Sequence, residues 1–319
     1  MRAVRCAELG TVAVADVPEP EAGPGQVVIG VEAAGVNYVD GLFVRGRYQI
    51  KPPLPFVPGG EVAGTVVAAG PDVTSPAVGT RVLAMCGLGG FAERVAVPAS
   101  AAVPLPEKLD AVRAATFTQS YCTALFALRT RARLAAGERV LVLGAGGGTG
   151  LAAVQVAKAL GARVLAAASS EEKRALALAA GADAVLDPAG DVKTAAREWS
   201  GGGVDVVYDP VGGALAEPGL RALREFGRYV VIGFASGTIP SLPLNQVLLR
   251  NRSVVGVDWG AWALSDGAGQ LALLEELLGL VADGALAPVA PTAVPLESAG
   301  RAMDDLLGRR TAGKVALVP

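Results

Sequence analysis

Residues 142–155 read VLGAGGGTGLAAVQ, with five glycines in the seven positions from Gly144 to Gly150. The apolar run RVLVL precedes them, and an Ala- and Val-rich segment without turn formers follows. That order predicts a strand, a tight turn and a helix. Glycine lets such a turn take positive φ and lets a ligand come close to the backbone. The helix start adds free N–H groups and the positive end of a dipole, a setting that suits a diphosphate. The spacing, G-x-x-G-x-x-G, is not the commoner G-x-G-x-x-G, so the flanking strand and helix must carry the reading. The competing account is a glycine turn that only lets helix and strand pack closely.

Downstream the pattern repeats: ARVLAAA, SEEKRALALAAG, ADAVLD, DVKTAAREWS and VDVVYD alternate strand and helix signals. Alternation at this spacing predicts a parallel sheet wrapped by helices, a doubly wound dinucleotide-binding domain. A site for NAD usually ends its second strand in Asp or Glu, which holds the ribose 2′-hydroxyl. Here Ala168 and Ser169 stand at that end, and Lys173 and Arg174 follow. A basic pair suits a 2′-phosphate, which favours NADPH. Glu171 and Glu172 dilute the signal, although acids are also favoured in a first helical turn. Lys173 and Arg174 also fit an ordinary solvated helix face.

Upstream, residues 1–100 carry short β-rich runs such as QVVIGVEAAGV, EVAGTVVAAG and TRVLAM, punctuated by EPEAGPGQ and KPPLPFVPGG. They predict an irregular, mainly antiparallel β domain. Residues from about 111 to 129 are Ala- and Leu-rich and read as helix. After about residue 256 come two amphipathic segments and a last strand, KVALVP, which we expect to return to the first domain.

Composition narrows the chemistry. The chain has 319 residues, enough for two domains, with 52% hydrophobic residues, 42 glycines and a mean hydropathy of +0.45. Two charge-free stretches, 140–157 and 229–249, are broken by the glycine run and by Pro240 and Pro243, so no membrane span is expected. The start, MRAVRCAELG, lacks an apolar signal core, and a cytoplasmic protein is expected. A net charge of −2 without a basic block argues against nucleic acid as partner. Cys6, Cys86 and Cys122 are odd in number and dispersed, which does not suggest a disulfide framework. There is no histidine, so Ser-His-Asp, Cys-His and histidine acid–base mechanisms are ruled out, and a zinc site is hard to build.

At this point the chain resembles a known family, the zinc-free medium-chain dehydrogenases/reductases of the NADPH:quinone oxidoreductase type (zeta-crystallin-like). The resemblance lies in AGVNYVDGLFVRGRY (34–48), PFVPGGEVAGTVVAAG (55–70), SYCTALFAL (120–128), the glycine segment, GADAVLD, VDVVYDPVGG, GRYVVIGFASG and GKVALVP. It implies an α/β protein with a GroES-like β domain over 1–118 and 256–319 and a Rossmann domain over 119–255, the active site between them, and a homodimer. The segment SVVGVDW (253–259) reads as an edge strand able to pair with its twofold mate.

The resemblance also implies roles. Asn37 and Asp40 belong to the segment beside the reacting groups, and Tyr48 lines the substrate pocket. Thr123 faces the nicotinamide ribose region. Gly147, Gly148, Thr149 and Gly150 take the diphosphate, Ser170 and Lys173 the 2′-phosphate, with Arg309 near it. Gly233, Phe234 and Ser236 border the carboxamide. No metal is implied. Leu42 and Pro188 depart from tyrosines that some relatives carry in the pocket and by the phosphate.

Each residue also has a plainer account. Asn37 can be a turn residue and Tyr48 a core aromatic. Cys122 reads as a small buried hydrophobe, Asp209 as a turn cap, and Trp259 and Trp262 as packing or interface. The expected activity is hydride transfer from NADPH to quinones, acceptors that need little electrophilic help. The alternatives are an enone or enoyl-thioester reductase, or an NADPH-binding sensor or structural protein without turnover.

Overall fold

A computed structural model describes the whole chain, Met1–Pro319. It divides into two compact units, Met1–Gln119 with Ala290–Pro319, and Ser120–Val289. In chain order the first carries β1 (Arg2–Glu8), β2 (Thr11–Asp16), β3 (Gln26–Val36), α1 (Tyr38–Val44), β4 (Glu61–Ala69), β5 (Arg81–Met85), β6 (Arg94–Pro98), β7 (Ala102–Pro104) and α2 (Ala111–Ala114). Helix α3 (Thr118–Leu125) then runs into a π-helical stretch, Phe126–Arg131. The second unit continues with β8 (Arg139–Leu143), α4 (Gly148–Ala159), β9 (Arg163–Ala167), α5 (Glu171–Ala179), β10 (Ala184–Leu186) and α6 (Val192–Ser200). After these come β11 (Val204–Asp209), α7 (Ala216–Ala222), β12 (Leu223–Val231), α8 (Leu244–Leu248), β13 (Ser253–Gly256), α9 (Trp259–Ser265) and α10 (Gly267–Ala282). The chain ends in the first unit with β14 (Thr292–Pro295), α11 (Ala299–Leu307) and β15 (Val315–Val318).

The first unit is built on a seven-stranded sheet, β14-β15-β3-β4-β5-β7, with β6 also pairing β3. Every ladder but β14–β15 is antiparallel. Alternation along these strands buries Ile29, Val62, Val66, Val82 and Leu317 around Phe91. β15 closes against the middle of the sheet, so a strand from the end of the chain pairs with Ala34, Gly35 and Val36.

The second unit is a six-stranded parallel sheet, β10-β9-β8-β11-β12-β13. Counted from β8 as the first strand, the order is 3-2-1-4-5-6, which puts the topological switch between β8 and β11. The central strands β8, β9 and β11 are mostly apolar and buried, as in a sheet covered by helices on both faces. Leu141, Leu143, Val207, Leu220 and Tyr229 sit in one core cluster with almost no exposure.

One domain boundary differs from the sequence reading. Residues 256–289 lie in the second unit rather than returning to the first. Helix α10 buries Leu273, Leu274, Leu277, Leu278 and Val281 there. Gln155 donates to the Ala287 carbonyl at 2.7 Å, Arg129 pairs with Glu276, and Gln270 reaches Cys122 Sγ at 3.5 Å. Amphipathy announces that a helix will bury a face; it does not say against which core. No helix is long and apolar enough to cross a membrane.

Candidate active site

The glycine turn follows β8 directly. Gly144 has φ +61°, and the N–H of Ala145 donates to Ala167, tying the turn to β9. A Cβ on Gly150 would lie 2.3 Å from the Gly144 carbonyl, so helix α4 can leave the turn only with glycine at that position. Gly147, the residue before α4, is different: a Cβ there would meet nothing nearer than 3.7 Å, and no side chain caps the helix. The first amides of α4, from Gly148 through Gly150, therefore have no side-chain acceptor at an open position.

Next to this turn, β9 ends at Ala167 and α5 begins after Ser170, whose hydroxyl accepts the Lys173 N–H at 3.3 Å. Arg174 is committed to local structure, donating to the Ala168 carbonyl at 2.9 Å and to Asp187 at 3.0 Å. Lys173 instead lays its stem across Gly146, where a Cβ would fall 2.4 Å from its own. Of the two basic residues, Lys173 is the one brought to the glycine turn, and no acid stands at the strand end.

At the ends of β12 and β13 lies a cavity of 490 Å³, lined by Phe126, Arg131, Val231, Ile232, Gly233, Phe234, Gly256, Val257 and Asp258. The loop after β12 is stitched to the loop after β11: Ala235 donates to Pro210 at 3.0 Å and Ser236 to Val211 at 2.9 Å. Asp209 caps that second loop, accepting the N–H groups of Val211 and Gly212 at 2.7 and 2.9 Å. Tyr229 donates its hydroxyl to the other oxygen, and burial raises that phenol further. Ser236 accepts the Thr238 N–H at 3.2 Å, and Phe234 keeps 36% of its surface exposed. Thr123 is half-buried on α3. Trp262 stacks on Phe126 with centroids 4.6 Å apart, and Trp259 donates to Gln270 at 2.7 Å, so both serve packing. Arg131, which donates to the Gly256 carbonyl at 3.0 Å, was not singled out by sequence; nothing in its Arg-rich surroundings marks it.

The first unit gathers a buried polar cluster around Asn37. Asp40 Oδ2 accepts the Asn37 N–H at 2.7 Å, joining the two residues across the start of α1. Asn37 Nδ2 donates to Glu61 Oε1 at 2.8 Å, and its Oδ1 accepts from Lys314 Nζ at 2.5 Å. Lys314 also lies 3.3 Å from Glu61 Oε1, while Glu61 Oε2 accepts the Gln119 N–H at 2.9 Å. Glu61 is 1% exposed and Asp40 is wholly buried. Burial pushes the Asp40 carboxyl up to about 7; the Asn37 N–H opposes this, nearby Glu61 adds to it and Lys314 pulls it down. Burial and the same acids push the Cys86 thiol up to about 12, which makes it a poor nucleophile.

Asn37 and Asp40 are thus brought together, and Asp40 has no exposed surface. Tyr48 lies beyond the other end of α1, half-buried and edge-on to Phe43 at 4.9 Å. Ser170 and Lys173 belong to the second unit; Arg309 belongs to the first, at φ +58° just after α11. Glu61 and Lys314 escaped the sequence reading. Each is a charged residue just at or before an apolar strand, in PGGEVAG and GKVALVP, and that oddity was the available signal.

Two family models match the chain: an alcohol dehydrogenase GroES-like domain over residues 23–107 and a zinc-binding dehydrogenase over 148–276. Quinone oxidoreductase-like protein 2 of Rattus norvegicus is 38% identical over 99% of this chain and 91% of its own length. The chain belongs to the quinone oxidoreductase family of medium-chain dehydrogenases/reductases. The quinone oxidoreductase of Thermus thermophilus, solved also as its NADPH complex, is 40% identical, covers both chains fully and gives a TM-score of 0.85. A mycocerosic acid synthase-like polyketide synthase of Mycobacterium tuberculosis is 33% identical over 97% of this chain, which corresponds to 15% of that much longer protein. Quinone oxidoreductases are enzymes, and this chain is an oxidoreductase of that family.

The name of the second model raises the question of zinc, and the side chains here do not fit it. No three His, Cys, Asp or Glu residues converge to hold a metal ion. Where carboxylates do gather, at Asp40 and Glu61, the cation among them is the ammonium of Lys314.

Proposed function

We propose that this oxidoreductase binds NADPH and reduces quinones. The observation that carries the cofactor is the glycine turn, open at Gly147 and flanked by the stem of Lys173, with no acid at the strand end where an NAD site would place one. Gly147, Gly148, Thr149 and Gly150 hold the diphosphate through backbone amides. Ser170 and Lys173 hold the 2′-phosphate, with Arg309 as a further cation for it. Thr123, Gly233, Phe234 and Ser236 seat the nicotinamide, which supplies hydride when bound. The cavity at Gly233 and Phe234 is lined mainly by apolar residues, with Arg131 and Asp258 among them, a surface on which a flat ring can lie.

Asn37 and Tyr48 face the acceptor in this reading, and Asp40 positions Asn37 through its backbone N–H. The protein's part is to orient, to exclude water and to stabilise charge as it develops on the acceptor oxygen. Quinones suit such a site because hydride addition gives an aromatic hydroquinone anion, and little electrophilic help is needed.

A second reading, reduction of enones or enoyl thioesters, is favoured by the likeness to the polyketide synthase segment. Steady-state rates with a small quinone, an alkyl enone and a primary alcohol separate them. The quinone is expected to lead and the alcohol with NADP⁺ to give no turnover. If the enone leads in kcat/KM by about tenfold, some 1.4 kcal/mol at the transition state, the quinone assignment is replaced. NADPH binding without turnover on either acceptor would instead favour a sensor or structural role.

We further propose a homodimer joined through β13. It is an edge strand of the parallel sheet, and Val254 on it is 44% exposed. Helix α8 just before it exposes Leu244 and Leu248, at 77% and 76%. A free edge beside exposed leucines is a self-complementary surface of the kind a twofold contact uses.

A further inference from the structure

Hydrogen-bond capacity around Asn37 leads to a donor for the acceptor's oxygen. Lys314 can only donate and Glu61, ionised, can only accept, so together they orient the Asn37 amide without ambiguity: Oδ1 toward Lys314 at 2.5 Å, Nδ2 toward Glu61 at 2.8 Å. The second Nδ2 proton leans on the Gly35 carbonyl at 3.4 Å. Asn37 therefore keeps an acceptor lone pair free but no uncommitted strong donor. Lys314 is the reverse. Its three N–H groups meet two protein acceptors, Asn37 Oδ1 and Glu61 Oε1, which leaves one N–H without a protein partner. Glu61 is sealed at 1% exposure, whereas the Lys314 side chain keeps 12%, so of the two charged partners the lysine is the less enclosed.

We propose that Lys314 is the electrophile of the reaction, donating its remaining N–H to the acceptor's carbonyl oxygen while Glu61 and Asn37 hold the ammonium in place. The inference rests on the reading that Asn37 adjoins the acceptor. The reductant is a reduced nicotinamide, whose hydride brings both electrons. As that hydride adds to the quinone, a carbonyl π pair moves onto oxygen. The Nζ–H bond breaks as the new O–H bond forms, leaving a neutral amine that regains its proton from water. In a chain with no histidine and no converging metal ligands, a fixed ammonium is the strongest donor beside Asn37.

The test uses 4-nitrophenolate as a stable mimic of the oxyanion, together with turnover on a small quinone. Lys314→Met alone strands Glu61 in the interior, so Lys314→Met/Glu61→Gln is made beside it, and Lys314→Arg keeps the charge. The unmodified protein is expected to bind the phenolate. The double variant is expected to bind it about tenfold or more weakly and to lose about a hundredfold in kcat, with KM and NADPH binding changed less than about threefold. Added alkylamine is expected to restore part of the rate to Lys314→Ala, with a rate that follows the alkylamine's acidity, a dependence that a purely structural lysine would not show. A folded double variant that binds phenolate and turns over within about threefold of the unmodified protein overturns the proposal. If the unmodified protein binds phenolate through Lys314 yet reduces neither quinones nor enones, the donor stands and the functional reading falls.

Discussion

The stem of Lys173 lies across Gly146, so close that a methyl group on that glycine would sit 2.4 Å from the lysine's own Cβ. The helix after β9 is thereby locked to the turn after β8, and a lysine is set beside the open amides of α4. Lys173→Glu is expected to cost NADPH about 1–3 kcal/mol of binding and to spare NADH. Fluorescence titration with both cofactors checks it. Equal affinities in the unmodified protein would count against the 2′-phosphate assignment.

Gly150 makes a sharper case, because the neighbour it would strike is backbone. Gly150→Ala puts a Cβ 2.3 Å from the Gly144 carbonyl, and a main-chain oxygen cannot swing aside as a side chain can. Such overpacking is expected to cost about 1–3 kcal/mol of stability and to abolish cofactor binding. A thermal melt with a binding titration reads both. Full affinity with an unchanged Tm would show that the turn yields more than this geometry allows.

Asp40 links stability to pH. Its carboxyl is held at about 7 in the fold, raised from 3.8, so the folded state binds the proton more tightly than the unfolded chain. Its contribution is fully present below about pH 4 and is lost as pH rises through about 7, at most about 1.4 kcal/mol per pH unit. Asp40→Asn is expected to flatten the fall in Tm between about pH 5 and about pH 7 relative to the unmodified protein. Parallel Tm profiles for the two proteins would contradict the assignment.

For assembly, the expected outcome is a dimer by light scattering. Val254→Lys places a charge on the open edge of β13 and brings two like charges together across a twofold contact, so it is expected to give monomers. A monomer throughout the micromolar range in the unmodified protein would refute this interface.

Elemental analysis should find no stoichiometric zinc, and chelators should leave activity unchanged. The ground is the donor set, with Lys314 as the cation among the buried carboxylates. One zinc per chain would reverse that reading.

Much of the second unit was legible residue by residue. The run RVLVLGAGGGTG declares strand, turn and helix through apolar alternation and missing side chains, and each later β/α pair repeats the same local physics. Asp209 as a turn cap was legible for the same reason, since it acts within a few residues of itself. The cluster around Asn37 was only half legible. Asn37 and Asp40 share one helix start, but Glu61 lies 24 residues from Asn37 and Lys314 lies 277.

By itself, the sequence determined the two kinds of sheet, the glycine cradle and the chemistry that is impossible without histidine, because periodicity, steric freedom and residue inventory are local or additive properties. Tertiary structure decided which core takes α10, which of two adjacent basic residues reaches the glycine turn, and which cation meets Glu61. These are choices among surfaces of equal apolarity and charges of equal sign. Only the pairing of β15 with β3, which brings residue 314 to residue 37, resolves the last of them.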